Sequence, residues 1–422
     1  MNLAHFLLNS RGVRNLALRA NTLLNRFGWT PAKMEKSLNS LIEMSQKFGL
    51  KLSLPVTAII LERYPKIIQK LQDDGIELAV HGYVHTDYAQ LSKEEQLEHF
   101  NRAIKVFKKQ GIRFQGFRAP YTRWNEGTML AVQELGFFWE SSKTVLWDLL
   151  NENEMTLPEK NWKAYKKVLN LYNPTDAGTN LVLPEIRDRF VEIPVTLPDD
   201  EMMLDRLRLS PKDIKEVWKK ILILTYNRGE LFTLQIHPER FQLLREAVDG
   251  VIEVAKDYTP GIWLAGLSEI AQWWIERSEF SAKVHRTNNE SYKILLNCSH
   301  RATILLGQST VNSRKLTAAR ELQIQSKFPP VIGIGNDCSQ ELLKFLKREG
   351  YIMEEGKKEN YGIYFEGVKE LNEFEILEQI EEKEFPLIRF WRWPYGMKSC
   401  LSITGDIDAL TLFDFFIRPF GK

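Results

Sequence analysis

The chain has 422 residues, of which 44% are hydrophobic and 27% charged, and its formal net charge is +2. These values are typical of a globular protein with a large core and more than one domain. They argue against a dedicated nucleic-acid binder, because such proteins carry a clearly basic surface. The three cysteines are too few and too widely spaced for a disulfide framework, so we expect a reducing compartment, the cytoplasm.

The first 30 residues are rich in arginine, and the first acidic residue is Glu35. They lack the long apolar region and small-residue cleavage site of a secretory signal. No stretch reaches the roughly 18 apolar residues that a membrane span needs, so no transmembrane helix is predicted. An arginine-rich, acid-poor start is typical of a transit peptide or a membrane-surface helix. We favour a helix packed on the fold, with peripheral membrane contact as an alternative.

Between about residue 30 and residue 280, amphipathic helices alternate with short apolar strands. The best-marked helix begins at Ser92, which forms a capping box with Glu95, and ends at Gly111. Such alternation predicts parallel strands with helices outside, in an open sheet or a closed barrel. Residues 281–388 differ from this pattern, because short strands with alternating apolar residues are separated by polar turns. This difference predicts a separate α+β domain.

The sequence "HGYVH" places His81 and His85 directly after the apolar strand "IELAV". Their i, i+4 spacing predicts two imidazoles on one side of a helical turn, and the neighbouring glycine gives room for an ion. Two histidines need a third, anionic ligand to make a catalytic metal site with open positions.

Two further polar residues follow apolar strands. Arg118, in "GFRAP", stands where a guanidinium can clamp a carboxylate, although a surface arginine in a turn is equally consistent with the sequence. His237, in "LQIHP", is held by a tight strand end and is a candidate general acid, and a hydrogen-bonded core histidine is its alternative.

Near the end of the chain, "LSITGDIDAL" predicts a buried strand that delivers Asp406 and Asp408 to its tip. Residues two apart on a strand point the same way, so both carboxylates can face one site, and Gly405 gives them room. Two alternatives remain open. Paired acids of this kind also bind metal–nucleotide in glycosyltransferases, and they also occur as solvated turn residues.

The order "HGYVH", "RAPY" and strand-"IHP" resembles the polysaccharide deacetylase family, the NodB-homology carbohydrate esterases of family 4 type, over about residues 30–275. The resemblance implies an α/β fold, a distorted (β/α) barrel, with its site at the carboxyl ends of the strands. It also implies roles for five residues: His81 and His85 as metal ligands, Arg118 as the residue that orients the base, Tyr121 at the oxyanion site, and His237 as the acid.

Members of this family normally open with a strand that ends in paired aspartates, and the first 80 residues here contain none. The segment around Asp406 fits that strand in every respect except position. We therefore predict a circular permutation in which residues 1–280 form the main part of the barrel, 281–388 an inserted α+β domain, and 389–422 the segment that completes the barrel. Asp406 is then the catalytic base and Asp408 the third metal ligand.

The implied activity is metal-dependent removal of N-acetyl groups from a saccharide, with Zn²⁺ favoured and Co²⁺ or Ni²⁺ also suited to two histidines and an aspartate. Three aromatic residues, Tyr83, Trp124 and Trp147, are candidates for stacking on a sugar, and ordinary packing is the alternative for each.

Two other functions remain open, a cyclic amide hydrolase of the allantoinase-like branch and a non-catalytic carbohydrate-binding relative. The basic N-terminal segment, with Arg418 and Lys422, suggests a phosphate-containing anionic handle on the substrate.

Overall fold

The computed structural model describes residues 26–288, 290–307, 314–317, 320–383 and 385–418. The basic segment at residues 1–25 and Lys422, on which the expectation of membrane contact and part of that of an anionic handle rest, lie outside the described residues. Among the helices that are described, none has the length and apolar character that crossing a bilayer requires.

Helices and strands alternate through the first part of the chain. Their bounds are α1 Ala32–Phe48, β1 Ser53–Val56, α2 Ala58–Arg63, α3 Pro65–Asp73, β2 Glu77–Val80, α4 Lys93–Lys109, β3 Gly116–Phe117, α5 Glu126–Glu134, β4 Trp139–Glu140, β5 Thr144–Leu146, α6 Glu159–Tyr172, β6 Thr175–Asp176, β7 Glu185–Arg187, β8 Phe190–Glu192, β9 Val195–Leu197, α7 Pro211–Arg228, β10 Leu231–Gln235, α8 Phe241–Lys256, β11 Ile262–Leu264 and α9 Leu267–Ser278. A π-helical segment, Glu201–Leu207, lies between β9 and α7.

The later part of the chain is richer in strands. Its elements are β12 Ser281–Asn288, β13 Ser291–Asn297, β14 Thr303–Leu306, β15 Arg314–Thr317, β16 Glu321–Gln325, β17 Ile332–Ile334, α10 Gln340–Arg348, β18 Met353–Glu355, β19 Ile363–Phe365, α11 Glu373–Glu381, β20 Ile388–Phe390, β21 Ser399–Thr404 and α12 Leu412–Ile417. Single 3₁₀ turns occur at Tyr88–Gln90, Pro120–Thr122, Pro238–Arg240 and Lys358–Asn360.

The main sheet has nine strands in the order β10-β21-β1-β2-β3-β4-β8-β7, with β11 also paired to β21. All of its pairs are parallel except β7 with β8. The helices and the strands of this sheet bury their apolar side chains together in one core. This curled α/β sheet with outer helices is the distorted barrel that the sequence predicts, and that prediction is confirmed.

Strand β21 lies inside this sheet although it comes from the end of the described chain. It pairs with β10 from Leu231↔Cys400 to Gln235↔Thr404, and with β1 at Ser53↔Thr404. All six of its residues are buried, as expected for a parallel strand that is covered on both faces. The strand order is therefore the one that the permutation requires, and the permutation as an event in the history of the chain remains a prediction.

The segment from β12 to β20 forms three small sheets, with strand orders β12-β13-β16, β15-β14-β20 and β18-β17-β19. A buried carboxylate joins it to the residues that lead into β21. Glu349, at the end of α10, is bound by the guanidinium groups of Arg389 and Arg392. Burial opposes ionisation of Glu349, but Arg392 and Arg389 overcome it and lower its pKa to about 2. No observation tests the predicted domain boundaries at 280 and 388, which stay predictions.

Candidate active site

The carboxyl end of β21 delivers two carboxylates to one side of the sheet. Asp406 and Asp408 are 4% and 8% exposed. Gly405, between β21 and Asp406, allows this strand end to lie against the backbone after β10, because a Cβ there would stand 2.3 Å from the carbonyl oxygen of Ile236. Glycine is therefore needed because two strands approach each other closely, whereas the sequence suggests that it gives room to the two carboxylates.

The two histidines of "HGYVH" lie at the carboxyl end of β2, with ring centroids 5.3 Å apart. The expectation of a helical turn is wrong. Residues 81–87 are not helical, and Gly82 has a φ of +80°, which turns the chain sharply after His81. Nε2 of His81 lies 3.3 Å from one Asp408 oxygen, and Nε2 of His85 lies 3.2 Å from the other. These three side chains form a candidate metal-binding group.

The hydrogen bonds around His81 indicate what this group needs. Nδ1 of His81 lies 2.8 Å from the carbonyl oxygen of Arg118, and because a carbonyl only accepts, Nδ1 carries the proton. In the neutral ring, Nε2 then carries a lone pair that faces the Asp408 carboxylate. The carboxylate is also an acceptor, so no hydrogen bond can form between the two. Both His81 Nε2 and Asp408 Oδ1 are buried without a hydrogen-bond partner among the described residues. A cation between them satisfies both atoms, so the donor set fits a divalent metal ion.

The charges of the group point the same way. Burial lowers the pKa of His85 to about 3, so this ring is neutral and can offer its lone pair. Burial also opposes protonation of His81, but the carboxylates of Asp406 and Asp408 overcome this and raise its pKa. Arg418 approaches Asp408 from the cleft side, with Nη1 3.3 Å from Oδ2. The site therefore favours positive charge beside Asp408.

Asp406 is held in place by two donors on different strands. Nη1 of Arg118 lies 3.1 Å from its Oδ1, and Nε2 of Gln235 lies 2.9 Å from its Oδ2. Arg118 is fully buried and is itself fixed, because it donates to the Thr404 hydroxyl over 2.7 Å and to the carbonyl and hydroxyl of Ser141. The Asp406 carboxylate therefore has a defined orientation, with Oδ2 3.9 Å from Nε2 of His81.

His237 lies across the cleft from the metal group and is paired with an aspartate. Its Nδ1 is 2.6 Å from Oδ1 of Asp200, and its backbone N–H donates to the other oxygen. Burial opposes a charged ring, but the Asp200 carboxylate overcomes it and raises the pKa of His237 to about 10. Burial likewise opposes ionisation of Asp200, and His237 and Arg240 lower its pKa to about 2. The pair is thus an imidazolium and a carboxylate at neutral pH.

Asp199, Asp200 and His237 also lie close enough together to be a second candidate metal group. Most of their carboxylate oxygens already accept hydrogen bonds, in contrast to the buried Oδ1 of Asp408 in the first group. Both Asp200 oxygens accept from His237, and Asp199 accepts from the backbone N–H of Met202 over 2.8 Å. These hydrogen bonds favour an acid held by its carboxylate partner over a second metal site.

A cleft of about 1570 Å³ connects these groups, and His85, Tyr121, His237, Asp406 and Asp408 line it. The Tyr121 ring packs edge-on against His85 at a centroid distance of 4.2 Å. The backbone of Tyr121 is left-handed, with φ +61°, which is strained for a residue other than glycine.

The three other aromatic candidates do not line this cleft. Trp147 is 5% exposed and packs in the main core, so its proposed stacking on a sugar is not possible from this position. Tyr83 is partly buried beneath Arg102, and Trp124 is partly buried with Arg187 6.0 Å from its ring.

Sequence reasoning missed the residues that hold the base and the acid, namely Thr404, Gln235, Ser141 and Asp200. Two of them carry a readable signal. Thr404 stands two residues before Asp406, and Gln235 two residues before His237, so alternation along a strand puts each on the same side as its successor. Asp200 and Ser141 reach the site only because the folded chain brings them there, and no spacing in the sequence links them to the other site residues.

Comparisons with known proteins agree with the motifs. Residues 28–138 match the family model of the polysaccharide deacetylases. The peptidoglycan deacetylase-like protein FGM2 of Gibberella zeae is 23% identical over an alignment of 246 residues, and the match covers 53% of this chain and 70% of that protein. A structure from Mycobacterium smegmatis described as a polysaccharide deacetylase has 21% identity and a TM-score of 0.45, and covers 63% of this chain and 84% of its own. The Puue allantoinase has 19% identity and a TM-score of 0.44, over 56% and 72% of the two chains. The family-model match therefore identifies residues 28–138 as similar to the polysaccharide deacetylases, the family that the motifs resemble.

Proposed function

We propose that this protein is a metal-dependent hydrolase that removes N-acetyl groups from a saccharide. The observation that carries the proposal is the meeting of three kinds of group at one cleft. These are a candidate metal group, a fixed carboxylate beside it, and an imidazolium across from it. Amide hydrolysis needs this combination, because water must lose a proton as it attacks and the amine must gain one as it leaves.

His81, His85 and Asp408 would hold the metal, and zinc is the ion that we propose for this donor set. When bound, such an ion polarises the amide carbonyl and increases the acidity of water. Every other contribution comes from side-chain and backbone groups of this chain.

Asp406 acts as the general base. Arg118 and Gln235 occupy one lone-pair direction on each of its oxygens, so the carboxylate cannot rotate away from the cleft. It takes a proton from water as the O–C bond to the acetyl carbon forms. The role of Arg118 is positional: its guanidinium is fully buried and touches the base.

His237 acts as the general acid. Its imidazolium proton passes to the amine nitrogen as the C–N bond breaks, which gives acetate and a free amino sugar. Asp200 keeps the ring charged and oriented through the 2.6 Å contact at Nδ1. We propose that the backbone N–H at Tyr121 donates to the oxyanion that develops between these two steps.

The distances in the site also disfavour the alternative of a non-catalytic carbohydrate-binding protein. That alternative is expected to show a base far from the metal group, whereas Asp406 lies 3.9 Å from Nε2 of His81. The base, its two supports and the acid are all present, which supports an active enzyme.

The test is acetate release from N-acetylglucosamine oligomers by the zinc-loaded protein, with Asp406→Asn as the inactive variant. We expect release by the wild type, a decrease of about 100-fold or more in kcat for the variant, and equal zinc content in both. Zinc-loaded wild type that binds the oligomers and releases no acetate contradicts the proposal. Hydrolysis of cyclic ureides in place of these amides would favour the allantoinase-like alternative.

A further inference from the structure

One wall of the active-site cleft is formed by helix α6. Its lining residues follow one face through Lys160, Asn161, Ala164, Lys167 and Val168, and the last turn adds Asn170, Leu171 and Tyr172. Lys160 and Lys167 are both exposed and lie about two turns, or roughly 10 Å, apart along the axis. This face therefore presents two ammonium groups to whatever occupies the cleft.

A third cation, Arg208, lines the cleft beside Lys160. Nδ2 of Asn161 donates to the carbonyl oxygen of Leu207 over 2.9 Å, which joins the start of α6 to the residue before Arg208. Arg208 has a φ of +62°, a conformation that costs an arginine free energy, and it follows a π-helical segment. π-Helical segments are frequent at functional sites. Arg208 ends this segment, and its backbone N–H donates to the carbonyl oxygen of Met203, which accounts for the left-handed conformation. Its side chain is exposed at the cleft.

The other charges of the cleft are matched within the described residues. Glu201 pairs with Arg206, and Asp205 pairs with Arg240 over 2.6 Å. Arg26 binds Glu239 and also approaches Asp205.

Asp406 and Asp408 are held by Arg118 and Arg418. Among the described residues, neither Lys160, Lys167 nor Arg208 forms an ion pair. We call these three residues the cationic strip.

We propose that the saccharide substrate is anionic, with carboxylate or phosphate groups that bind the cationic strip. This inference rests on the proposed deacetylase function and names the substrate class of the same cleft. Exposed lysines and arginine that form no ion pair in a concave site attract and bind anions, and the guanidinium of Arg208 can bind a carboxylate or phosphate through two hydrogen bonds. A neutral polysaccharide would leave all three charges without a partner.

The strip lies away from the reacting atoms. Nη1 of Arg123, two residues after Tyr121, donates to the carbonyl oxygen of Leu171 over 2.8 Å, so the end of α6 is the part near the site. Lys167 is about one turn from Leu171, and Lys160 about three turns. The negative groups are thus expected on sugar units other than the one that loses its acetyl group, and the strip should affect binding rather than the chemical step.

The test compares the wild type with a triple variant, Lys160→Gln, Lys167→Gln and Arg208→Gln. The matched control is Lys163→Gln with Lys166→Gln, on the same helix, where each lysine pairs with a glutamate outside the cleft. Three N-acetylated substrates are used: a neutral N-acetylglucosamine oligomer, an oligomer that alternates with uronic acids, and one that carries phosphate. We expect kcat/KM on the preferred anionic substrate to fall about 10- to 100-fold in the triple variant, through KM, with kcat and the neutral substrate unchanged.

The two acidic substrates distinguish carboxylate from phosphate as the bound group. Equal kcat/KM for neutral and acidic substrates in the wild type overturns the inference and leaves the deacetylase function intact. Binding is measured separately by calorimetry with the deacetylated acidic oligomers. Salt-sensitive binding that the triple variant loses, without acetate release from any substrate, supports the cationic strip and contradicts the proposed function. Absence of binding together with absence of a preference contradicts the strip.

Discussion

Nη1 of Arg118 lies 3.1 Å from Oδ1 of Asp406, although 288 residues separate them in sequence. The carbonyl oxygen of the same Arg118 lies 2.8 Å from Nδ1 of His81. One residue therefore fixes the base through its side chain and the tautomer of a candidate metal ligand through its backbone. The two halves of the site, one near the start of the described chain and one near its end, meet at this residue.

Asp408→Ala tests the candidate metal group. Because Asp408 is its only anionic member, we expect the variant to lose stoichiometric zinc at concentrations that saturate the wild type, as measured by elemental analysis after dialysis. Asp73→Ala, at an exposed helix end, is the control and should keep its zinc. Unchanged metal content in Asp408→Ala would remove Asp408 from the ligand set.

Arg118→Lys tests whether the guanidinium positions the base. Lysine keeps the charge but cannot contact Asp406, Thr404 and Ser141 together, so we expect kcat to fall about 100-fold with little change in KM or zinc content. Arg123→Lys is the control, because Arg123 pairs with the partly exposed Asp87, and its kcat should fall less than about threefold. A parallel loss of zinc would show that Arg118 acts through His81 instead.

The pH profile tests the pairing of His237 with Asp200. The pKa of His237 is raised to about 10, so the ring stays charged below that pH and loses its proton above it. In Asp200→Asn the pKa should return toward the ordinary value of about 6.5, and the basic limb of kcat/KM should move to lower pH by the same amount. At pH 8.5 the loss is then about 100-fold, and near pH 6 it is small.

The same pair links stability to pH. A raised histidine pKa stabilises the fold fully below pH 6.5, and this contribution is lost as pH rises through about 10. The lowered pKa of Asp200 stabilises above its ordinary 3.8, and that contribution is lost as pH falls through about 2. The difference in unfolding free energy between wild type and Asp200→Asn should therefore be largest between about pH 4 and pH 6.5. A constant difference from pH 4 to pH 10 would contradict the pairing.

A rearranged chain tests the place of β21. The backbone N–H of Leu412 donates to the carbonyl oxygen of Gly28 over 2.9 Å, and the rings of Phe27 and Phe415 are 5.1 Å apart. A chain that begins with the residues of β21 and α12 and continues through a short linker into α1 should therefore fold. We expect its zinc content to equal that of the wild type and its kcat/KM to lie within about tenfold. Truncation before Cys400, in contrast, should abolish both.

The sequence was sufficient for the elements whose pattern is local. The capping box of Ser92 and Glu95 begins α4 as predicted, and the apolar run before Asp406 is a buried strand. The residues that the family resemblance singles out also converge, because the carboxyl ends of neighbouring parallel strands meet at one edge of a sheet. This is why His81, Arg118, His237 and Asp406 could be placed together without a structure.

What the sequence could not supply depends on packing. The spacing of His81 and His85 suggested a helical turn, but a left-handed glycine directs the chain instead. The charged state of His237 depends on Asp200, which stands directly before a π-helical segment and which no periodicity reveals. Trp147 is a residue type that often stacks on sugars, but here it is buried as a core residue, and only the folded structure shows which role applies.

The central position of β21 has a consequence for the synthesis of the protein. Asp408 leaves the ribosome roughly 300 residues after His85, an interval of about 15 s to 1 min at the usual rates of translation. During this interval β1 and β10 lack the neighbour that joins them, and each presents an open edge to other chains in the cell. The histidines, too, have no carboxylate with which to share an ion. The active site therefore cannot form before β21 has been synthesised, and a chain that ends before Asp408 cannot begin the reaction early.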